Sequence, residues 1–177
     1  MKGKKMDFTI RAATLGDLAA INAIYNHYVL HSTCTYQEEL STEEERRGWF
    51  AAHGERHPVT VAVEEGGDGE VVGWGSLNPF HARSAYRFTT ENSVYVRQDR
   101  HRKGIGGAIL ADLIGRATAL RYRVIVALIS ADQAASIVLH ASAGFRESGR
   151  LHGVGYKFGR WLDVVYMERA IPQQEGG

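Results

Sequence analysis

An apolar, alternating stretch, Ser93-Val94-Tyr95-Val96, leads into Arg102-Lys103-Gly104-Ile105-Gly106-Gly107 and then into a run with helical periodicity. In that run Ile105, Ile109, Leu110, Leu113, Ile114 and Ala117 fall on one face. The order is strand, short basic turn, glycine-rich helix start, the pattern of a sheet covered by helices. A helix N-terminus presents unpaired N–H groups and the positive end of the dipole, so it attracts a phosphate. Glycines remove Cβ atoms and let a bulky anion reach the backbone. Arg102 and Lys103 add charge at the same spot. An ordinary tight turn with solvated basic residues gives the same local pattern. A dinucleotide fingerprint does not fit: the third glycine is misplaced, and Val124-Ile125-Val126-Ala127-Leu128 is not followed by a ribose-binding carboxylate. The Gly-Lys-Ser/Thr of a nucleotide-triphosphate loop is absent. The anion expected here is the pyrophosphate of another cofactor.

A chain of 177 residues suits a single domain with a sizeable core. Its formal net charge of +1 gives no global field that selects nucleic acid or an acidic membrane. The basic cluster Arg97, Arg100, Arg102 and Lys103 lacks aromatic interleaving, so a nucleic-acid partner is not expected. One cysteine, Cys34, excludes an internal disulfide and fits a reducing, cytoplasmic setting. No apolar run is long enough to span a bilayer. The basic N-terminus leads into Asp7 rather than a signal core, and Met6 offers an alternative start. Segments 1–6 and 172–177 read as frayed ends of a single domain.

Along the chain, Phe8 to Arg11 reads as a strand, and Thr14 with Asp17 as a capping box opening a helix with the stripe Leu18, Ile21, Tyr25 and Tyr28. Ser41 with Glu44 repeats that signature before a second helix carrying Trp49 and Phe50. The pairs His27/His31 and His53/His57 have zinc-ligand spacing but lack a third ligand nearby, so no metal is expected. Val59 to Glu64 and Glu70 to Leu77 are strands, with Gly66-Gly67-Asp68-Gly69 turning an antiparallel hairpin. A polar-aromatic loop, Asn78 to Arg87, precedes the strand Glu91 to Val96. Arg123 to Ile129 reads as a buried strand, and a helix from about Gln133 to Ala143 stops at Gly144. Strands Phe145 to Leu151 and Leu162 to Arg169 are joined by a segment running from Gly153 to Gly159. The fold class is α/β: one mixed, mostly antiparallel twisted sheet with helices on both faces.

The stretch Arg102 to Gly107 after Val94-Tyr95-Val96 resembles the acetyl-CoA motif of the GNAT N-acetyltransferases. Gln133 to His140, followed by Ala143-Gly144-Phe145, resembles that superfamily's later CoA-contacting helix and its terminal Gly-Phe. Asn26-His27-Tyr28, Ser32-Thr33, His81 to Tyr86, Thr90-Glu91, Leu139-His140 and Gly155-Tyr156-Lys157 resemble the phosphinothricin and methionine sulfone/sulfoximine N-acetyltransferases. Members of that branch acetylate the α-amino group of small amino-acid analogues and are typically dimers. The resemblance implies that Val94, Tyr95 and Val96 meet the pantetheine arm. It implies that Arg102, Lys103, Gly104, Ile105, Gly106 and Gly107 hold the pyrophosphate, with Gln133 and Ser136 touching the arm from the next helix. The sequence departs from the pattern at His101, where Arg or Gln is usual, at Gln133, where Asn is usual, and at His81, where phosphinothricin acetyltransferases carry Lys. The last bears on the acceptor more than on the reaction.

An amine attacks a thioester only as the free base, and α-amino groups have a reference pKa near ~8. A carboxylate nearby takes the proton, and Glu91 stands where the family match implies that base. Its other reading is a structural strand glutamate or an anchor for the substrate ammonium. His140 occupies the position of a family acid and is read either as proton donor to the leaving thiolate or as a packed helix residue. Direct transfer needs no acyl-enzyme, so Cys34 is not expected to be a nucleophile. A backbone N–H of the Glu91–Val96 strand would meet the oxyanion. The loop His81, Ala82, Arg83 and Tyr86 precedes Glu91 closely enough to line the acceptor pocket, with Asn92 and Ser93 continuing its wall and Tyr156 and Lys157 closing it. Arg83 suits a carboxylate because its planar fork donates two parallel bonds. Phe158, Trp161 and Tyr166 supply aromatic surface for a homodimer. The expected partner is a small-molecule amine. Alternatives are a protein N-terminus or polyamine acceptor, or a CoA-binding regulatory module without turnover.

Overall fold

The computed structural model describes residues 7–66 and 69–173. The expected N-terminal end 1–6, turn residues 67–68 and the last part of the expected C-terminal end, 174–177, lie outside the described residues. Seven strands form one sheet: β1 Phe8–Ala12, β2 Val59–Glu64, β3 Val71–Pro79, β4 Thr89–Val96, β5 Val124–Ser130, β6 Arg146–Lys157 and β7 Arg160–Ala170. Their order is β1-β2-β3-β4-β5-β7-β6. Only β4 and β5 pair in parallel; the other neighbours are antiparallel. The four helices are α1 Leu18–His31, α2 Glu43–Ala52, α3 Ile105–Ala119 and α4 Ala134–Ser142. The mixed, mostly antiparallel sheet with helices on both faces is therefore found as expected.

Two apolar clusters, one on each face, hold the layers together. On one face α3 buries Ile105, Ile109, Leu110, Leu113 and Ala117, while Ile114 packs at the margin. It lies close to β3 because Gly73 and Gly75 have no side chains beneath it. A Cβ at Gly75 would stand 2.6 Å from Ile109 Cγ2 and 2.8 Å from the Ser93 carbonyl oxygen. On the other face Leu18, Ile21 and Ile24 of α1 pack with Val61 and Trp74, and Tyr25, Tyr28 and Trp49 join them.

Three features depart from the sequence reading. The α2 capping box is Thr42 with Glu45, not Ser41 with Glu44: Thr42 N–H donates to Glu45 Oε2 at 2.8 Å, and Glu45 N–H returns a bond to Thr42 Oγ1 at 3.2 Å. Ser41 is already committed to α1. Its carbonyl accepts from Asn22 and Asn26, and its N–H donates to Asn26 Oδ1. The segment expected to join the last two strands is instead mostly strand, since β6 continues to Lys157. The turn is only Phe158-Gly159, with φ of 53° and 74°, as a tight hairpin turn with two left-handed residues requires. β5 is not buried throughout, because Leu128 is exposed.

Candidate active site

Strand alternation sends the side chains of Glu91, Ser93 and Tyr95 to the α1/α2 face and those of Asn92 and Val94 to the α3/α4 face. Tyr95 accordingly stacks on Trp74, Val94 joins the α3 cluster, and Asn92 meets His140. The backbone alternates as well. Arg97 N–H donates to Val72 O, so Tyr95 and Ser93 point their main-chain groups at β3, and Asn92, Val94 and Val96 point theirs at β5. Yet β4 and β5 pair only over Thr89–Glu91 and Val124–Val126. Beyond Glu91 the two strands part.

A cavity of about 270 Å³ opens at this parting. Glu91 to Tyr95 form one wall, Ala127 to Ser130 of β5 face them, and Ser136 and His140 come from α4, with Gln133 at its N-cap. Burial pushes the Glu91 carboxyl up from its ordinary value, and among the described residues it makes no ion pair. His140 is buried; its Nδ1–H donates to Ser136 O at 2.8 Å, leaving Nε2 to accept from Asn92 Nδ2 at 2.9 Å. Burial lowers its pKa, so it rests as the neutral ring. Asn92 Oδ1 has no hydrogen-bond partner among the described residues.

The fourth wall is Thr33 to Tyr36, the loop after α1. Apart from the Ser32-Thr33 likeness, sequence reasoning assigned it no role in the site. Long-range bonds hold it. Lys157 Nζ donates to Ser32 O and Thr35 O, both at 2.8 Å, and Gln133 Nε2 donates to Thr33 Oγ1 at 2.8 Å. Tyr36 crosses the face of β6 at Gly155, where a Cβ would meet its ring at 2.3 Å. A glycine inside the Gly155-Tyr156-Lys157 strand was the one available signal. Burial pushes the Cys34 thiol up, so it stays protonated and a poor nucleophile.

The glycine-rich segment lies beside this cavity. Gly104, at φ 85°, ends the turn, and Arg102 is left-handed at φ 60°. Ala108 N–H is the donor to Gly104 O, so the N–H groups of Ile105, Gly106 and Gly107 precede the first turn's bonds. Gly106 abuts Val94 and Val96: a Cβ there would lie 4.0 and 3.6 Å from their side chains. Arg97 and Arg100 are neutralised by Glu70, Asp99 and Glu64, whereas Arg102 and Lys103 make no ion pair among the described residues. A free helix start with two uncommitted cations fits a pyrophosphate. The main chain of Val94, beyond the end of the β4–β5 ladder, fits an amide-bearing arm. These residues therefore fit the acetyl-CoA implied by the resemblance. One expected contact is already used, since the Val96 carbonyl accepts from the Tyr28 hydroxyl.

The remaining expected acceptor residues lie elsewhere. His81, Ala82, Arg83 and Tyr86 are exposed in the β3–β4 loop and line no part of this cavity. The loop joins the sheet one register pair from Glu91, at Pro79↔Thr90. Tyr156 is exposed against Trp161, and Lys157, fully buried, anchors the Thr33–Tyr36 wall rather than closing the pocket itself. No helix of the described residues is long and apolar enough to cross a membrane.

A family model described as an acetyltransferase (GNAT) domain matches residues 10–166. An L-methionine sulfoximine/L-methionine sulfone acetyltransferase of Pseudomonas paraeruginosa is 42% identical over 164 residues, 92% of this chain and 94% of that protein. A phosphinothricin N-acetyltransferase of Alcaligenes faecalis is 37% identical, covering 92% of this chain and 82% of the relative. The crystal structure of a GNAT superfamily phosphinothricin acetyltransferase from Sinorhizobium meliloti, solved in complex with AcCoA, superposes with a TM-score of 0.90 at 39% identity, over 94% of this chain and 89% of that one. With the parted strands and the glycine-rich helix start, these matches show that the chain belongs to the GNAT acetyltransferase family.

Proposed function

We propose that this enzyme transfers an acetyl group from acetyl-CoA to the α-amino group of a small amino acid or analogue of the methionine sulfone/sulfoximine or phosphinothricin type, with Glu91 as the base. The observation that carries the reading is the Glu91 carboxylate, partly buried and without an ion-pair partner among the described residues, where β4 and β5 part. Acetyl-CoA supplies the activated acyl group. Arg102 to Gly107 hold its pyrophosphate, and the Val94 main chain takes its arm. Glu91 faces the α1/α2 side, so the amine approaches from that side and gives its proton to the carboxylate. The raised pKa of that carboxyl brings it nearer the amine's and makes the transfer more favourable. The Val94 N–H, turned into the gap, supports charge on the carbonyl oxygen. His140 holds Asn92 in place. Its Nε2 is occupied as an acceptor, which favours this role over proton donation.

Acetyl-CoA is expected to raise the melting temperature, because a ligand that binds only the folded state stabilises it. A Gly106→Trp variant should lose the shift, although its side chain will also press on Leu139, 3.3 Å from a Cβ there. CoA release is then followed across amino acids, sulfones, sulfoximines and phosphinates. No thermal shift with the wild type, or no CoA release with any acceptor, overturns the proposal. Arg83, exposed in the β3–β4 loop, is the proposed anchor for the acceptor's α-carboxylate. Arg83→Ala should raise the acceptor KM about 10-fold or more and leave acetyl-CoA affinity unchanged; equal rates with acid and amide acceptors would exclude that role.

The assembly proposed is a homodimer through the β6–β7 hairpin. There Tyr156, Phe158 and Trp161 are 53%, 54% and 70% exposed, whereas Tyr166 is half-buried; clustered exposed rings mark an interaction surface. Sedimentation as a monomer at assay concentration would exclude it. The one cysteine, held as a thiol, supports a cytoplasmic setting.

A further inference from the structure

A second cavity, of about 380 Å³, lies on the α1/α2 face of the sheet and shares Ser93 and Tyr95 with the first. Arg46 of α2 stands in its wall and is only 5% exposed. Its Nε–H donates to Asn22 Oδ1 at 3.1 Å. Among the described residues no carboxylate lies within ion-pair distance of it, and no acceptor is found for its two terminal nitrogens. Glu45 borders the same cavity, but its carboxylate caps α2 through Thr42. The guanidinium is flanked instead by rings: its carbon lies 4.4 Å from the Tyr25 centroid, 4.8 Å from Trp49 and 5.8 Å from Trp74. Trp74 lines the cavity with its ring, while its Nε1–H is shut off from it.

A buried guanidinium without an anion is costly, since a charge removed from water needs a partner. Ring faces recover part of that cost but leave the planar fork of donors open. An unpartnered guanidinium in the wall of a cavity fits a group rich in acceptor oxygens and poor in protons.

Resting on the reading of Glu91 as the base, we infer that this cavity receives the end of the acceptor's side chain, and that Arg46 selects acceptors ending in a sulfone, sulfoximine, phosphinate or carboxylate. The length fits. Ser93 follows Glu91 on the same strand face, a spacing of about 7 Å. In such acceptors a terminal oxygen lies roughly five bonds from the reacting nitrogen, a reach comparable to that spacing. The α-carboxylate, close beside the nitrogen, does not extend that far. It remains for the β3–β4 loop. Asn78 ties the two cavities together: its Nδ2 donates to Glu91 O and Ser93 Oγ, both at 3.2 Å.

The test compares L-methionine sulfone with L-norleucine, an acceptor of similar length without the oxygens. Arg46→Gln should lower the ratio of kcat/KM for sulfone over norleucine about 10-fold or more, the scale of losing a hydrogen bond to a charged donor. Arg46→Lys, which keeps the charge and loses the planar fork, should lower it by less, a few-fold. Equal losses on both acceptors would mean that Arg46 is structural and would overturn the inference. So would an unchanged ratio in both variants. A second readout is independent of turnover: sulfone without acetyl-CoA should perturb the fluorescence of Trp49 and Trp74, and Arg46→Gln should abolish the change. Fluorescence binding without acetylation would sustain the subsite and sink the reading of Glu91. Acetylation with selectivity intact in the variants would do the reverse.

Discussion

Replacing Glu91 with glutamine is expected to slow acetyl transfer about 100-fold or more at neutral pH, the usual contribution of a positioned base, while acetyl-CoA binding stays unchanged. The deficit should shrink as pH rises and the acceptor amine loses its proton unaided. A stability effect of opposite sign should accompany it. Burial raises the folded-state pKa of Glu91 above its unfolded value. The stability linked to this group is therefore complete below the unfolded pKa and is lost as pH rises through the folded one. At neutral pH the charged carboxylate strains the fold, and Glu91→Gln should melt higher than the wild type. The gap should close in acid. A variant with wild-type rate and pH profile would show Glu91 to be a structural residue. One that melts lower at neutral pH would show its carboxylate to be paired in solution.

Gly75→Val is expected to cost about 3 kcal/mol of stability, a fall of roughly 6–12 °C in Tm for a chain of this size. The Cβ would stand 2.6 Å from Ile109 Cγ2, 2.8 Å from Ser93 O and 2.9 Å from Leu113 Cδ1. The middle of these is main chain of the neighbouring strand and cannot turn aside. The same change should weaken acetyl-CoA binding, since α3 would rise off β3 and carry its first turn away from Val94. Gly115, on the exposed side of α3 with nothing within 4 Å of a Cβ, is the control. Gly115→Ala should raise stability by up to about 1 kcal/mol. Calorimetry on both variants decides the matter: equal melting temperatures would mean that α3 does not depend on that close approach.

The parts legible in the sequence were those whose cause is local. The α3 stripe and Gly104 announced a helix start, and Gly144, left-handed at φ 84°, marked the end of α4. The misplaced α2 cap shows where locality stops. Ser41-Glu44 and Thr42-Glu45 are equally good signatures, and the choice was made by Asn22 and Asn26 from a helix that precedes them in the chain. Glu91, Asn92, Ser93, Val94, Tyr95, Gln133, Ser136 and His140 do meet at one cavity. Its fourth wall could not be read, because Thr33 to Tyr36 owe their position to Lys157, more than a hundred residues later in the chain. Arg46 is a similar case. On an acidic, amphipathic helix it reads as a solvated charge, and only the fold puts Trp74 beside it.

The seam between β4 and β5 gives the sheet an edge at its centre. Amides of a middle strand are ordinarily the slowest to exchange with solvent, and those at the flanks the fastest. Here three register pairs join the two half-sheets, while fifteen join β7 to its neighbours β5 and β6, from Val124↔Ala170 to Lys157↔Arg160. The molecule is thus stiff on its flanks and soft along its midline. A guest lying in that seam takes the place of missing ladder bonds, so filling it should quiet the breathing of both halves at once.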